Sequence, residues 1–272
     1  MPAPVRLGTQ GWNYDAWVGP FYPEATRPVD FLTIYSRAFD TVEVDSTFYA
    51  TPPSKTVRGW AQRTPPGFVF SLKLPQEITH ERRLRDTDDV TAEFLDRARE
   101  LGPKLGPVLV QMGPDFAPDE MGALERFIPR LPRDLRFAVE VRQHKWMRPD
   151  VLPDLLSLLA EHGAALALSD GRWIPRETMT ELAERPTADF HYVRWMGPNR
   201  DITDYSHLQF DRSADIRSWA EVLHRAALTT DLFGYFNNHF AGHSPANARE
   251  MQTLLGQRPT DPATLGEQIS LF

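Results

Sequence analysis

Apolar residues along this chain recur in two alternating rhythms. Short runs with every second side chain apolar, the strand period, give way to stretches with apolar residues three and four apart, the helix period. The clearest strand is Val42-Glu43-Val44-Asp45, with Val42 and Val44 on one side and two carboxylates on the other. It breaks at once into Ser46-Thr47-Phe48-Tyr49. That composition fits a buried strand whose C-terminal end carries chemistry. The bland alternative is a half-exposed strand with Glu43 and Asp45 facing water.

In order, the pattern predicts strands over 5–9, 42–45, 68–74, 108–112, 136–141, 164–169, 190–195 and 232–237. Helices are predicted over 29–39, 54–60, 91–101, 120–128, 151–161, 179–183, 214–227 and 246–255. Ser54 is placed as a helix cap, and residues 75–89 as a long polar loop. Strands alternating one-for-one with helices over this length predict an α/β fold, a closed parallel TIM (β/α)8 barrel. A doubly wound open sheet competes, but it wants a glycine fingerprint after the first strand, and Gly8-Thr9-Gln10-Gly11 lacks the third glycine and the spacing. The barrel is predicted as one domain over 1–256, with 257–272 a short polar, proline-containing tail.

Composition narrows the chemistry. The absence of cysteine excludes disulfides and thiolate metal sites. A net charge of -7 argues against nonspecific coating of nucleic acid and leaves room for a local basic site. No stretch is long and apolar enough to span a membrane, and the N-terminus has no apolar signal region, so the cytoplasm is the expected compartment.

Barrel enzymes carry their sites at the C-terminal ends of the strands. Those ends read Thr9 and Trp12; Glu43 and Asp45; Lys73; Gln111; Glu140 and Arg142; Asp170; Arg194; and Asn237, Asn238 and His239. Polar residues at all of them predict a shared cavity, or else a buried charge network that closes the barrel. Lys73, Arg142 and Arg194 suit an anionic or multiply hydroxylated ligand. Asp45, Glu140 and Lys73 are the catalytic candidates, the carboxylates as acid and base. Asn237 and Asn238 would orient the ligand through their amides. Trp12, Glu43, Tyr49, His80, Gln111, Asp170 and His239 complete the binding set. Trp12, Trp17, Trp146, Trp173 and Trp195 lie at or beyond strand ends, where aromatic faces beside arginines suit sugars or nucleobases, or simply anchor loops. The run His80-Glu81-Arg82-Arg83-Leu84-Arg85 reads as a solvated loop whose charge Glu81, Asp86, Asp88 and Asp89 largely cancel, with a phosphate-gripping patch as the alternative. Histidine spacing supports no metal site, with a carboxylate and single-histidine site as the alternative. The residues leave the cofactor open.

These motifs together resemble the domain of unknown function 72 family, also called YecE-like, a set of TIM-barrel proteins. The resemblance rests on Gly8-Thr9-Gln10-Gly11-Trp12, Gly19-Pro20-Phe21-Tyr22-Pro23, Thr41 to Tyr49, Ile78-Thr79-His80, Leu105-Gly106-Pro107 with Val110-Gln111, Ala138 to Arg142, and Tyr235-Phe236-Asn237-Asn238. It implies the barrel and not an activity. Gln10 stands where the family usually has serine, and His239 where an aspartate usually follows the paired asparagines.

The last residues, Gln268-Ile269-Ser270-Leu271-Phe272, look like the peptide with which bacterial replication and repair proteins dock on the sliding clamp. In that reading Gln268, Leu271 and Phe272 make the contact. The alternative is that Leu271 and Phe272 fold back onto the barrel. The expected function is binding of a phosphate-bearing or nucleic-acid-derived ligand in a polar, enzyme-like cavity, with recruitment to the clamp. The alternatives are a carbohydrate hydrolase or isomerase, and a non-catalytic adaptor.

Overall fold

The computed structural model describes residues 3–198 and 201–266. Strands and helices alternate as the periodicity predicts. They are β1 (Val5–Thr9), α1 (Phe31–Ala38), β2 (Thr41–Val44), α2 (Ser54–Gln62), β3 (Val69–Lys73), α3 (Asp88–Arg99), β4 (Leu105–Gln111) and α4 (Met121–Phe127). The second half follows with β5 (Phe137–Glu140), α5 (Leu152–His162), β6 (Ala165–Gly171), α6 (Arg176–Leu182), β7 (Phe190–Gly197), α7 (Ser213–Ala226), β8 (Asp231–Phe236) and α8 (Ser244–Leu254). Each strand pairs parallel to its neighbour from β2 round to β8, and β8 pairs with β1. The result is a nearly closed TIM barrel.

The seam between β1 and β2 is held by a side chain as well as backbone. The Tyr35 hydroxyl, from α1, accepts from the Thr9 amide at 2.9 Å and donates to the Thr41 carbonyl at 3.0 Å. Above it the Gly11 amide donates to the Glu43 carbonyl at 2.8 Å. Gly8 permits this approach: a Cβ there would lie 2.2 Å from the Thr41 oxygen.

Strand alternation sorts the side chains into two layers. Val42, Val44, Leu72, Val108, Val110, Val139, Leu168 and Val193 point outward and are buried under the helices. Fully burying each such aliphatic contributes roughly 1.5–3 kcal/mol. Val69, Leu109, Ala138, Ala165, Ala167, Phe190 and Phe233 form a separate apolar cluster inside the barrel, with Tyr192 and Tyr235. Polar side chains take over the interior towards the C-terminal mouth.

Four local expectations change. Ser54 is the first residue of α2, not its cap, and its hydroxyl donates to Glu100 at 2.5 Å. The loop from Pro75 contains a π-type turn, Glu77–Glu81. Helix α3 starts at Asp88, ahead of Thr91, because Asp88 and Asp89 suit the positive end of the helix dipole. The polar tail expected after Gly256 is tied to the barrel as far as Gly266. Gln257 donates to the Val5 carbonyl at 2.6 Å, Arg37 to the Leu265 carbonyl at 3.1 Å, and the Leu265 side chain is buried. Gln268, Leu271 and Phe272 lie outside the described residues.

Candidate functional site

The inward-facing ends of β2, β5 and β7 build a charge ladder across the barrel. Arg194, 1% exposed, grips Glu43 with Nε at 2.9 Å and Nη2 at 2.7 Å, and reaches Glu140 with Nη1 at 2.5 Å. Tyr192 donates its hydroxyl to Glu43 at 2.7 Å, and Arg142 donates Nε to the other Glu140 oxygen at 2.6 Å. One rung below, the Tyr235 hydroxyl lies 2.9 Å from the Thr41 hydroxyl and 2.7 Å from that of Ser71. Buried charges persist only when paired and hydrogen-bonded. The ladder meets that condition.

The two glutamates respond differently to the same burial. Burial pushes Glu43 up, and Arg194 only partly offsets it. Burial also penalises charged Glu140, but Arg142 and Arg194 together outweigh it and hold this carboxyl at about 2. Glu140 is therefore a fixed carboxylate, poorly suited to release a proton near neutral pH.

Above the ladder opens a cavity of about 520 Å³, within the range of small-ligand sites. Asp45, Tyr49, Lys73, His80, Gln111, Arg142, Arg194 and Asn237 line it. Asp45 sits in the 3-10 turn after β2, and among the described residues is the one carboxylate that lines the cavity. Lys73 ends β3 with Nζ 3.8 Å above the Phe48 ring, and burial lowers its pKa to about 8 against the pull of Asp45. His80 is pushed down by burial and then by the Lys73 and Arg142 charges, and its Nδ1 lies 2.8 Å from the Thr79 hydroxyl. Tyr49, 74% exposed, stands on the rim. Asn237 donates to Gln10 at 2.8 Å, tying β8 to β1 across the mouth.

Several expected members face elsewhere. Asp170 turns outward to Trp219 at 2.7 Å and Arg176 at 2.7 Å, because the inward positions of β6 are Ala165, Ala167 and Ser169. Trp12 packs edge-on against Trp60 and Phe70 beside the cavity. Asn238 accepts from the Ser244 amide and hydroxyl at the start of α8. His239 borders a small side lobe with Arg142, Arg172 and Trp173. Glu43 and Glu140 lie beneath the cavity floor, not on its wall. Trp17, Trp146 and Trp195 are fully buried anchors.

Sequence reading passed over Gln10, Phe48, Gln76, Arg172 and Met196, which also line the cavity. Arg172 follows β6 directly, with its guanidinium 4.3 Å from the Trp173 ring. The Gly171-Arg172-Trp173 step at a strand end was the available signal. In the loop after β3, Arg82 pairs with Glu77, and Arg83 with Asp115 and Glu120. Those partners lie mostly outside the acids within the run itself. Among the described residues no three His, Asp or Glu side chains converge as metal ligands, and no helix is long and apolar enough to cross a membrane.

A parallel eight-stranded barrel with a charged cavity at its C-terminal mouth defines a TIM-barrel protein. The chain belongs to the family described as "Protein of unknown function DUF72", which it matches over residues 6–268. It is 34% identical over 138 residues to UPF0759 protein YecE of Escherichia coli K12, a match spanning 51% of this chain and about half (48%) of that protein. It is 26% identical over 270 residues to UPF0759 protein YunF of Bacillus subtilis 168, covering 92% of this chain and 94% of the relative. Two solved DUF72 family structures share the fold. The one from Thermotoga maritima MSB8 has a TM-score of 0.75 at 23% identity, covering 93% of this chain and all (100%) of its own. That from Enterococcus faecalis V583 has 0.72 at 20%, covering 94% and 99%.

Proposed function

We propose that the mouth cavity binds a small phosphate-bearing ligand, a nucleotide or other nucleic-acid-derived fragment included. One observation carries this reading: Lys73 and Arg172 line the cavity without a carboxylate oxygen within 4.0 Å among the described residues, and Arg142 spends only its Nε on Glu140. Cations left without acids, on rigid strand ends, provide charge-assisted donors for phosphate oxygens. Trp173 beside Arg172 offers a planar face for a base or sugar. Asp45 is the acid/base candidate, while Arg194, Glu43 and Glu140 hold the floor.

The carbohydrate-hydrolase alternative needs two carboxyls flanking a glycosidic bond. Glu140 is fully buried under two arginines, which weakens that reading. Titration calorimetry with ribose 5-phosphate and ribose side by side separates the two. The proposal expects binding of the phosphate ester alone, weakened by salt; equal binding of both sugars would overturn it.

We also infer, from sequence alone, that Gln268, Leu271 and Phe272 dock on the sliding clamp. Clamp binding by the purified protein should disappear when residues 268–272 are removed. No binding by the intact chain would end this reading.

A further inference from the structure

We propose that Lys73 is an amine nucleophile that forms an imine with a phosphate-bearing ketone or aldehyde in the mouth cavity. The phosphate part rests on the anion-binding reading above, and the covalent step on the geometry of Lys73 itself.

The chain spends lysine sparingly. Of its 30 cationic residues only Lys55, Lys73, Lys104 and Lys145 are lysines. Lys55 and Lys145 are exposed. Lys104 is consumed at the opposite end of the barrel, donating to the Ala61 and Thr64 carbonyls at 2.6 Å each. Where the barrel interior needs a permanent charge it uses Arg142 and Arg194, each bonded to a glutamate. Lys73 breaks that habit. Arginine stays protonated, whereas lysine in a desolvated site can give up its proton and act as a nucleophile.

Its surroundings favour that use. The Lys73 backbone is stapled to the turn after β2: its amide donates to the Thr47 hydroxyl at 3.0 Å, and that hydroxyl donates to the Lys73 carbonyl at 2.8 Å. The side chain, 8% exposed, leads Nζ over the Phe48 ring and onto the cavity wall. Burial brings its pKa down to about 8, so far more of Lys73 is neutral near pH 7 than of an ordinary lysine.

The step balances without an oxidant or reductant. Asp45, which lines the same cavity, takes through an intervening water the proton that the ammonium sheds. The nitrogen lone pair attacks the carbonyl carbon, the C=O pair moves to oxygen, and one N–H proton passes from nitrogen to that oxygen, giving a neutral carbinolamine. Asp45 returns its proton to the hydroxyl, which leaves as water, and the nitrogen lone pair closes the C=N bond as an iminium. Ammonium plus carbonyl becomes iminium plus water. Arg142 and Arg172 hold the phosphate meanwhile.

The test is reductive trapping. The protein is incubated with dihydroxyacetone phosphate or glyceraldehyde 3-phosphate and sodium cyanoborohydride, and adducts are mapped by peptide mass spectrometry. Dihydroxyacetone serves as the unphosphorylated control. Pyrophosphate binding is titrated separately. The expected result is one adduct on Lys73, absent from Lys55, Lys104 and Lys145, and at least about tenfold weaker with dihydroxyacetone. Lys73→Arg, checked for folding by circular dichroism, should give no adduct but still bind pyrophosphate. Pyrophosphate binding with no adduct, or with adducts only on the other lysines, would overturn the imine and leave the anion reading standing. A Lys73 adduct equally strong with dihydroxyacetone, without pyrophosphate binding, would support the imine and remove the anion reading.

Discussion

At the N-terminal end of the barrel, Arg6, Arg136 and Arg133 are matched by acceptors of this same chain. Arg6 reaches Asp40 at 3.1 Å, and Arg136 reaches Asp231 at 2.7 Å and Asp189 at 3.1 Å. Arg133, in a groove of about 450 Å³ on that face, lies 2.7 Å from His162 Nδ1 and donates to the Glu161 carbonyl at 3.1 Å. At the C-terminal mouth the deep arginines are matched too, but the layer above them is not: Lys73 and Arg172 line the cavity with Asp45 yet have no carboxylate oxygen within 4.0 Å among the described residues. Both ends hold concavities of similar size. Pairing, not volume, distinguishes a surface closed on itself from one prepared for an anion.

The largest effect should come from breaking the ladder. Arg194→Ala strands two buried carboxylates, and should cost about 3–5 kcal/mol in urea unfolding. Loss of ligand binding in that variant would accompany loss of stability, so Arg194 is a positioning residue. A stable, folded Arg194→Ala protein would contradict the ladder.

Next comes acid sensitivity. Glu140, held at about 2 against its ordinary 4.5, contributes stability that is fully present above pH 4.5 and lost as pH falls towards 2. That shift corresponds to about 3 kcal/mol. Glu43 works in the opposite sense, since a raised carboxyl stabilises below its ordinary value and loses that contribution as pH rises. Unfolding measured at pH 7 and pH 3 should show a smaller acid loss in Glu140→Gln than in the parent. An equal loss in both would mean the titrating group lies elsewhere.

Much of this was legible in the sequence. The two periods gave the barrel, and strand ends gave most of the cavity wall, Asp45, Lys73, Gln111 and Arg142 among them. Direction was harder. Strands of a parallel barrel are buried on both faces, so apolar runs do not reveal which parity faces inward. Asp170 and Trp195 sit one residue away from the inward Ser169 and Arg194, and turn to the helices instead. Phe48, Gln76 and Arg172 lie in the connections beyond the strands, where periodicity carries no information. Leu265, a lone apolar residue in a polar stretch, gave little sign that it docks on the barrel.

The comparison of the two ends is tested most directly by pyrophosphate titration of Arg172→Gln beside Arg136→Gln. Among the described residues Arg172 has no acid within 4.0 Å to leave unpaired, and Arg136 is a partly exposed ion-paired cation worth about 1 kcal/mol or less, so neither variant should unfold. Arg172→Gln should weaken pyrophosphate about tenfold while Arg136→Gln leaves it unchanged. Weakening by Arg136→Gln alone would move the anion site to the N-terminal groove and contradict the account.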